Sequence, residues 1–254
     1  MRRNRCDTGR VFSAPYARDV VQVVGADAAT FLQSQLSQEV RPLAVGSSLW
    51  SFLLQPTGKI EVLLRIWRTG DDSFVLDTDA GYGSVMVARL NRFKIRVKAE
   101  ITDLPWQCIA IRGEGAADVD GLASWGDGVD LLGEAPTSPD VEVRAGSADD
   151  LLAARIGAAW PAMGSEIVPG ETIPGETGVV PVTVNFTKGC YPGQELVERM
   201  DSRGATPPKS LQRVTVSAGT AVGDPYSIDG VAVGFVTSVC GTEALAMVKR
   251  VARA

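Results

Sequence analysis

Residues 188–195 read KGCYPGQE and place an ammonium, a thiol, an amide and a carboxylate within eight positions, with one proline and two glycines among them. In an extended segment Lys188 and Cys190 point to the same side. A cation beside a thiol favours the thiolate, the form that attacks electrophiles, exchanges with disulfides and ligates soft metals. Pro192 fixes φ and Gly193 tolerates φ > 0, the residue order of a tight turn. Pro192 equally suits the first position of a short helix through ELVERM. Either geometry exposes backbone N–H groups beside Cys190. Cys190 is therefore the leading candidate for a reactive group, with Lys188 tuning it.

The other thiols lack such neighbours. Cys108 and Cys240 lie in apolar strand-like runs and Cys6 near the N-terminus, so they read as packing or tail residues. None of the four cysteines has the close paired spacing that holds zinc or a cluster, and no metal site is expected. The chain contains no histidine. That removes His-based triads, Cys–His dyads, HExxH zinc sites and His-ligated haem together. Acid–base chemistry falls to Asp, Glu, Lys, Cys or Tyr. Glu39, at the end of an apolar helix where LSQEVRPL enters a turn, leads the carboxylates. Asp77 and Asp79 precede a helix and read as its cap, and Glu171 and Glu176 read as solvated loop residues.

The elements that must position these groups follow from composition and periodicity. At 254 residues, 45% hydrophobic and 22% charged, the chain is long enough to bury a substantial core. A formal charge of -5 argues against binding nucleic acid or anionic lipid over the whole surface, while leaving room for a local basic patch. No apolar run reaches the ~18 residues of a membrane span, and MRRNRCDTGR has no apolar stretch after it. A soluble cytoplasmic protein with reduced thiols and a frayed N-terminus is expected.

VVQVV reads as a buried strand, and Asp27 is placed to cap a helix whose Phe31, Leu32 and Leu36 share a face. SLWSFLLQ, IEVLLRIW and SFVLDT form an antiparallel meander, which excludes a doubly wound parallel sheet. Met86, Leu90 and Phe93 lie at helical spacing, and KIRVKAEIT alternates as a strand. CIAIRG and VEVRAG read as strands, 114–123 as a weak helix and SADDLLAARIG as a helix. The Pro- and Gly-rich run 160–184 reads as a long connection. LQRVTVSAG, VAVGFVTSVCG and EALAMVKRV suggest a small all-β barrel. The fold class is α+β, divided into an N-terminal domain over 1–105, a central region over 106–205 ending in the KGCYPGQE loop, and a C-terminal barrel over 206–254.

KGCYPGQE resembles the signature of the YgfZ family, folate-binding relatives of the glycine-cleavage T-protein, an aminomethyltransferase. The resemblance extends through VVQVVGADAATFLQSQLSQEVRPL, LLQPTGKIEVLLRIW, RLNRFKIRVKAEITDL, ETIPGE and VGFVTSVCGTEALAMV, and is least in 113–150. It implies ferredoxin-like N-terminal and central parts around a central hole, a small C-terminal β-barrel, and tetrahydrofolate or another reduced folate in the hole. It also implies a role in assembly or repair of 4Fe–4S enzymes and, through them, in tRNA modification. Cys190, Lys188 and Glu39 would be the catalytic residues. Glu39, Tyr191, Gly193, Gln194, Glu195 and Arg199 would bind the cofactor, with Arg203 and Gly204 matching positions beyond.

The T-protein relatives carry Asn-Asp-Val after the first helix, where this chain has Gln38-Glu39-Val40, a carboxylate one methylene longer. Trp50, Trp67, Arg65 and Arg92 are further candidates for contact with a pterin ring or a glutamate tail. The partners implied are folate and iron–sulfur client or assembly proteins, with no direct nucleic-acid or membrane contact, acting as a monomer. Two alternatives accompany this reading: a folate-dependent one-carbon transferase using Glu39, and a folate-binding scaffold in which the octapeptide only shapes a turn.

Overall fold

The computed structural model describes residues 10–137, 139, 143–202 and 207–250. The expected α+β class is observed, as three separate sheets with five α-helices among the described residues. Strands β1 (Phe12–Pro15) and β2 (Arg18–Val24) lead into helix α1 (Ala28–Gln35). The meander β3 (Ser48–Leu54), β4 (Ile60–Gly70) and β5 (Ser73–Asp79) follows, then helix α2 (Gly83–Phe93) and strand β6 (Glu100–Leu104). The first sheet has the order β3-β4-β5-β2-β6, antiparallel throughout. Its apolar side residues Val21, Val23, Leu64, Ile66 and Leu76 close a core with Phe31, Leu32 and Leu36 of α1 and with Met86 and Leu90 of α2. The periodicity of the two helices thus finds its partner in the alternation of the strands.

Several local expectations are overturned. Asp77 and Asp79 do not cap α2; Asp19 does, its Oδ2 accepting from the N–H groups of Gly81 and Gly83, both at 2.8 Å. Asp27 stands at the N-cap position of α1, but its side chain accepts from the Lys98 N–H at 2.7 Å instead of from the helix. The alternation in KIRVKAEIT becomes strand only from Glu100. Lys94 Nζ is tied to the Ala99 carbonyl at 2.8 Å, and Arg96 turns the chain at φ 57°.

Strands β7 (Gln107–Arg112), β8 (Leu122–Ala123), β9 (Val129–Gly133) and β10 (Arg144–Ala145) join β1 in the second sheet, in the order β10-β1-β7-β9-β8. The weak helix near 114–123 reduces to one 3₁₀ turn at Ala116–Asp118. VEVRAG keeps only Arg144–Ala145 as strand, and its first two residues lie outside the described ones. Helix α3 (Ala148–Gly157) opens with a capping box, in which Ser147 and Asp150 satisfy each other's backbone N–H. The connection 160–184 is irregular apart from a 3₁₀ turn at Pro174–Glu176 and one short helix, α4 (Val180–Thr183), before α5 (Gln194–Ser202).

Strands β11 (Lys209–Thr215), β12 (Pro225–Ile228), β13 (Val231–Cys240) and β14 (Glu243–Lys249) form the third sheet. The expected barrel is not formed: the order is β11-β14-β13-β12, so β11 and β12 are outer strands that do not pair with each other. With four strands, one of them only four residues long, the sheet cannot turn far enough to close.

Candidate functional site

The octapeptide resolves into a turn followed by a helix. Gln194 N–H donates to the Tyr191 carbonyl at 3.3 Å and Gly193 has φ 83°, so Tyr191-Pro192-Gly193-Gln194 is the turn and α5 starts at Gln194. Gly193 lies against the β3–β4 turn, where a Cβ would come 2.5 Å from the Gln55 carbonyl oxygen and 2.9 Å from Gly58 Cα. No side chain fits there. Gln194 holds the turn from within: its Oε1 accepts from Tyr191 N–H at 3.2 Å and its Nε2 donates to Glu198. Tyr191 itself is buried, in a core with Trp160, Val184 and Val197.

Lys188 anchors the other side. Its ammonium is buried and donates to the carbonyls of Gln33 at 2.7 Å, Leu36 at 2.5 Å and Gln38 at 3.1 Å. These are carbonyls at and just past the end of α1, where a helix leaves its acceptors unsatisfied and a cation is favourable. An ammonium has three donors, and all three are used, so Lys188 has none left for Cys190. The same segments are joined by Ser37 Oγ to the Thr183 carbonyl at 2.6 Å and by Asn185 N–H to the Ser37 carbonyl at 3.0 Å. Burial pushes the Lys188 ammonium down to about 8, opposed by the Glu39 carboxylate and assisted by Arg41.

Gly189 and Cys190 are exposed at the tip of this anchored loop. Glu39 is half-buried beside Lys188, so the structure brings Glu39, Lys188 and the Cys190 loop into one neighbourhood. Glu195 and Arg199 are exposed on α5, while Arg203 and Gly204 lie outside the described residues. A 290 Å³ apolar groove, with Phe186 from before the loop and Leu196, Val197 and Met200 from after it, runs along α5. Glu171 is exposed as expected. Glu176 is not solvated: it is buried, accepts from Ile173 N–H at 3.3 Å and pairs with Lys209 at 3.7 Å.

Sequence reasoning missed a buried chain of alternating charges that joins the first two sheets. Arg18 pairs with Asp77 at 2.7 Å, Arg65 with Asp77 at 3.0 Å and with Asp130 at 2.8 Å, and Arg112 with Asp130 at 2.8 Å. Burial alone would raise Asp130, but Arg65 and Arg112 outweigh it and hold its carboxyl below the ordinary value. Asp79 extends the chain outward, accepting from Arg18, from the Tyr16 hydroxyl and from Met163 N–H. Arg65 is thus fully buried and committed, and Trp50 lies over the Arg18 and Arg65 guanidinium groups, 5.5 and 5.3 Å from its ring centre. Trp67 packs near Trp106, and Arg92 is exposed at the end of α2. The available signal was a single charge inside an apolar run, as in VLLRIW and GVDLL; such a charge is kept only when paired. Cys108 lies nearby, its thiol pushed far up by burial, and Cys240 is half-buried; Cys6 is outside the described residues.

With this geometry in hand, residues 18–134 match the family described as the GCVT N-terminal domain. The match covers just under half of the chain, and it is residues 18–134 that resemble that domain. The matched segment contains Glu39, the β3–β4 turn and the whole Arg18–Asp77–Arg65–Asp130–Arg112 chain, while the octapeptide lies beyond it. An iron–sulfur cluster assembly factor IBA57 homolog, mitochondrial, from Neurospora crassa is 25% identical over 236 residues, covering 81% of this chain and 54% of that protein. The chain thus spans about half the length of this relative. An uncharacterised Haemophilus influenzae protein is 26% identical over 193 residues, 73% of this chain and 67% of the relative. The glycine cleavage system aminomethyltransferase T from Bartonella henselae shares the fold, with a TM-score of 0.76 over 96% of this chain and 80% of that one, at 18% identity.

Proposed function

We propose that this chain is a reduced-folate-binding accessory factor for the assembly or repair of iron–sulfur enzymes, with Cys190 as its working thiol and tRNA modification among the processes it supports indirectly. The observation that carries this reading is the division of labour in the octapeptide. Lys188, Tyr191, Gly193 and Gln194 are spent on anchoring, and Cys190 is left exposed at the tip. A thiol held in this way meets a cluster, or a sulfur atom on a client, without any part of the fold having to open. The name of the N. crassa relative supports iron–sulfur proteins as the partner class, with the cluster as cargo.

The match of residues 18–134 to the GCVT N-terminal domain and the aminomethyltransferase fold support a folate ligand, such as tetrahydrofolate, housed among ferredoxin-like parts around a central opening. The residues present fit such a group. Glu39 takes part in none of the ion pairs among the described residues and keeps its carboxylate for the N–H groups of a pterin edge. Arg41, exposed two residues on, offers a cation to the anionic tail. Bound folate would supply a one-carbon carrier. Glu39 and Arg41 would orient it, and Lys188 would keep the end of α1 in place beside it.

Titration of the pure protein with tetrahydrofolate tests the ligand: saturable binding is expected, weakened about tenfold or more in Glu39→Gln, the cost of losing a charged hydrogen-bond acceptor. A Cys190→Ala variant should bind folate as the wild type does and fail to restore 4Fe–4S enzyme activity in cells lacking the protein. Normal enzyme activity with that variant would sink the role of the thiol. Absence of saturable binding would sink the folate reading.

A further inference from the structure

The most cationic stretch of the chain lies away from the octapeptide. Between residues 80 and 99 stand Arg89, Arg92, Lys94, Arg96 and Lys98 and no carboxylate, in a chain whose 30 acidic residues outnumber its 25 basic ones. Within it, RFKIRVK alternates cation and apolar residue through seven positions. That alternation is not used in a sheet: α2 ends at Phe93 and β6 begins at Glu100, leaving the segment as a loop.

The loop is fixed at its base. Arg89 is buried, bonds to the Leu54 carbonyl at 2.9 Å, and lies 3.9 Å from the centre of the Phe93 ring, which it supports from below. Lys94 closes the loop on the Ala99 carbonyl, and Lys98 N–H is held by Asp27. The Lys98 carbonyl packs so closely on Gly25 that a Cβ there would be 2.3 Å from it. What these contacts hold outward is apolar: Ile95 is 76% exposed, the most exposed large hydrophobic residue among the described residues, and Phe93 is 36% exposed. Arg92, Arg96 and Lys98 are exposed around them and take part in none of the ion pairs among the described residues. Of the neighbouring carboxylates, Asp27 is occupied by the Lys98 N–H, Glu100 opens β6 directly after the loop, and Glu61 bears on the buried Arg89 at its base.

We propose that the Phe93–Lys98 loop is a peripheral docking tip for anionic phospholipid, with Ile95 and Phe93 entering the headgroup boundary and Arg92, Arg96 and Lys98 meeting the lipid phosphates. A convex aliphatic tip ringed by unpaired cations matches a surface that is anionic outside and apolar beneath. A nucleic acid would present phosphates without an apolar layer for Ile95 to enter, and base stacking would find only Phe93, one face of whose ring is taken by Arg89. No helix among the described residues is long and apolar enough to cross a membrane, so the contact is superficial. The overall negative charge keeps adsorption confined to this tip and makes it sensitive to salt.

The test is co-sedimentation of the full chain with vesicles of phosphatidylcholine alone or mixed with phosphatidylglycerol. Binding to the mixed vesicles is expected, falling as salt is added and weakening about fivefold for each cation removed, as in Arg96→Gln or Lys98→Gln. Ile95→Asp should abolish binding and Ile95→Leu should restore it; with so exposed a residue both variants keep the wild-type melting temperature. The proposal is overturned by failure to bind mixed vesicles at low salt, by equal binding to phosphatidylcholine alone, or by an Ile95→Asp variant that binds like the wild type. A soluble polyanion such as heparin that binds equally well, with no dependence on Ile95, would assign the patch to polyanions and also overturn it.

Discussion

Replacing Lys188 with methionine keeps the apolar stem and removes the three donors that join the octapeptide to the end of α1. Hydrogen bonds to a charged group contribute ~1.5–3 kcal/mol each, so three independent ones would contribute ~4.5–9 kcal/mol. They share one buried ammonium, however, and its fall from 10.5 to about 8 opposes the charged form by ~3.4 kcal/mol. The expected net loss in Lys188→Met is therefore about 1–6 kcal/mol, centred near 3, a large part of the stability of an ordinary domain. Urea unfolding at pH 7, followed by far-UV circular dichroism, measures it. A variant within about 0.5 kcal/mol of the wild type, the range of an ordinary surface substitution, would refute the anchoring role.

The pH dependence has a definite sign. Because the folded-state value lies below the unfolded one, the unfolded chain holds a proton between about 8 and 10.5 that the folded chain has released. Unfolding free energy from this group therefore rises with pH across that window, by at most ~3.4 kcal/mol. The gap between wild type and Lys188→Met should widen from pH 8 to pH 10. A gap that narrows would mean that the three carbonyls, not burial, dominate the titration of the ammonium.

Gly193→Ala forces a Cβ to within 2.5 Å of the Gln55 carbonyl at a φ of 83°, so a loss of about 2–4 kcal/mol is expected in thermal or urea unfolding. Wild-type stability in that variant would show that the turn does not pack on β3–β4. Asp130→Asn removes the charge shared by Arg65 and Arg112 and leaves two buried cations undercompensated, for an expected loss of about 3–5 kcal/mol. A loss below about 1 kcal/mol would mean that the network is solvated in solution.

What was legible in the sequence is what local patterning governs. Phe31, Leu32 and Leu36 declared the buried face of α1, the turns after Leu54 and Gly70 declared the meander, and SADDLLAARIG carried its own capping box. Pairing across long separations was not legible. Asp77 precedes a helix and looks like a cap, but the guanidinium groups that claim it come from β2 and β4. Glu176 sits in a run of Pro and Gly, and only the position of β11 places Lys209 against it. Counting strands suggested a barrel because closure depends on which strands are neighbours, information carried by the order β11-β14-β13-β12 and not by any one segment. At the candidate site the residues were legible and their duties were not. Lys188 next to Cys190 in sequence suggested a tuned thiol, whereas the ammonium is claimed by carbonyls some 150 positions away in sequence.

That reassignment alters what determines the behaviour of Cys190. Lys188 binds the loop to the end of α1 and Gly193 seats it on the β3–β4 turn, and both contact surfaces belong to residues 18–134, the segment that matches the GCVT N-terminal domain. The octapeptide lies outside that domain in sequence but takes its shape from it. A shift in the segment from Gln33 to Glu39, where the proposed ligand would bind, must therefore be carried by the three Lys188 hydrogen bonds or break them. Cys190 sits two residues from that ammonium on an exposed tip, held from α1 by Lys188 on one side and from the β3–β4 turn by Gly193 on the other, so a displacement of α1 relative to that turn moves the thiol. The chemistry of the site and the occupancy of the proposed folate position are on this account linked through Lys188, and Lys188→Met should separate them: the proposed reduced-folate binding at Glu39 retained, with the proposed Cys190-dependent function lost.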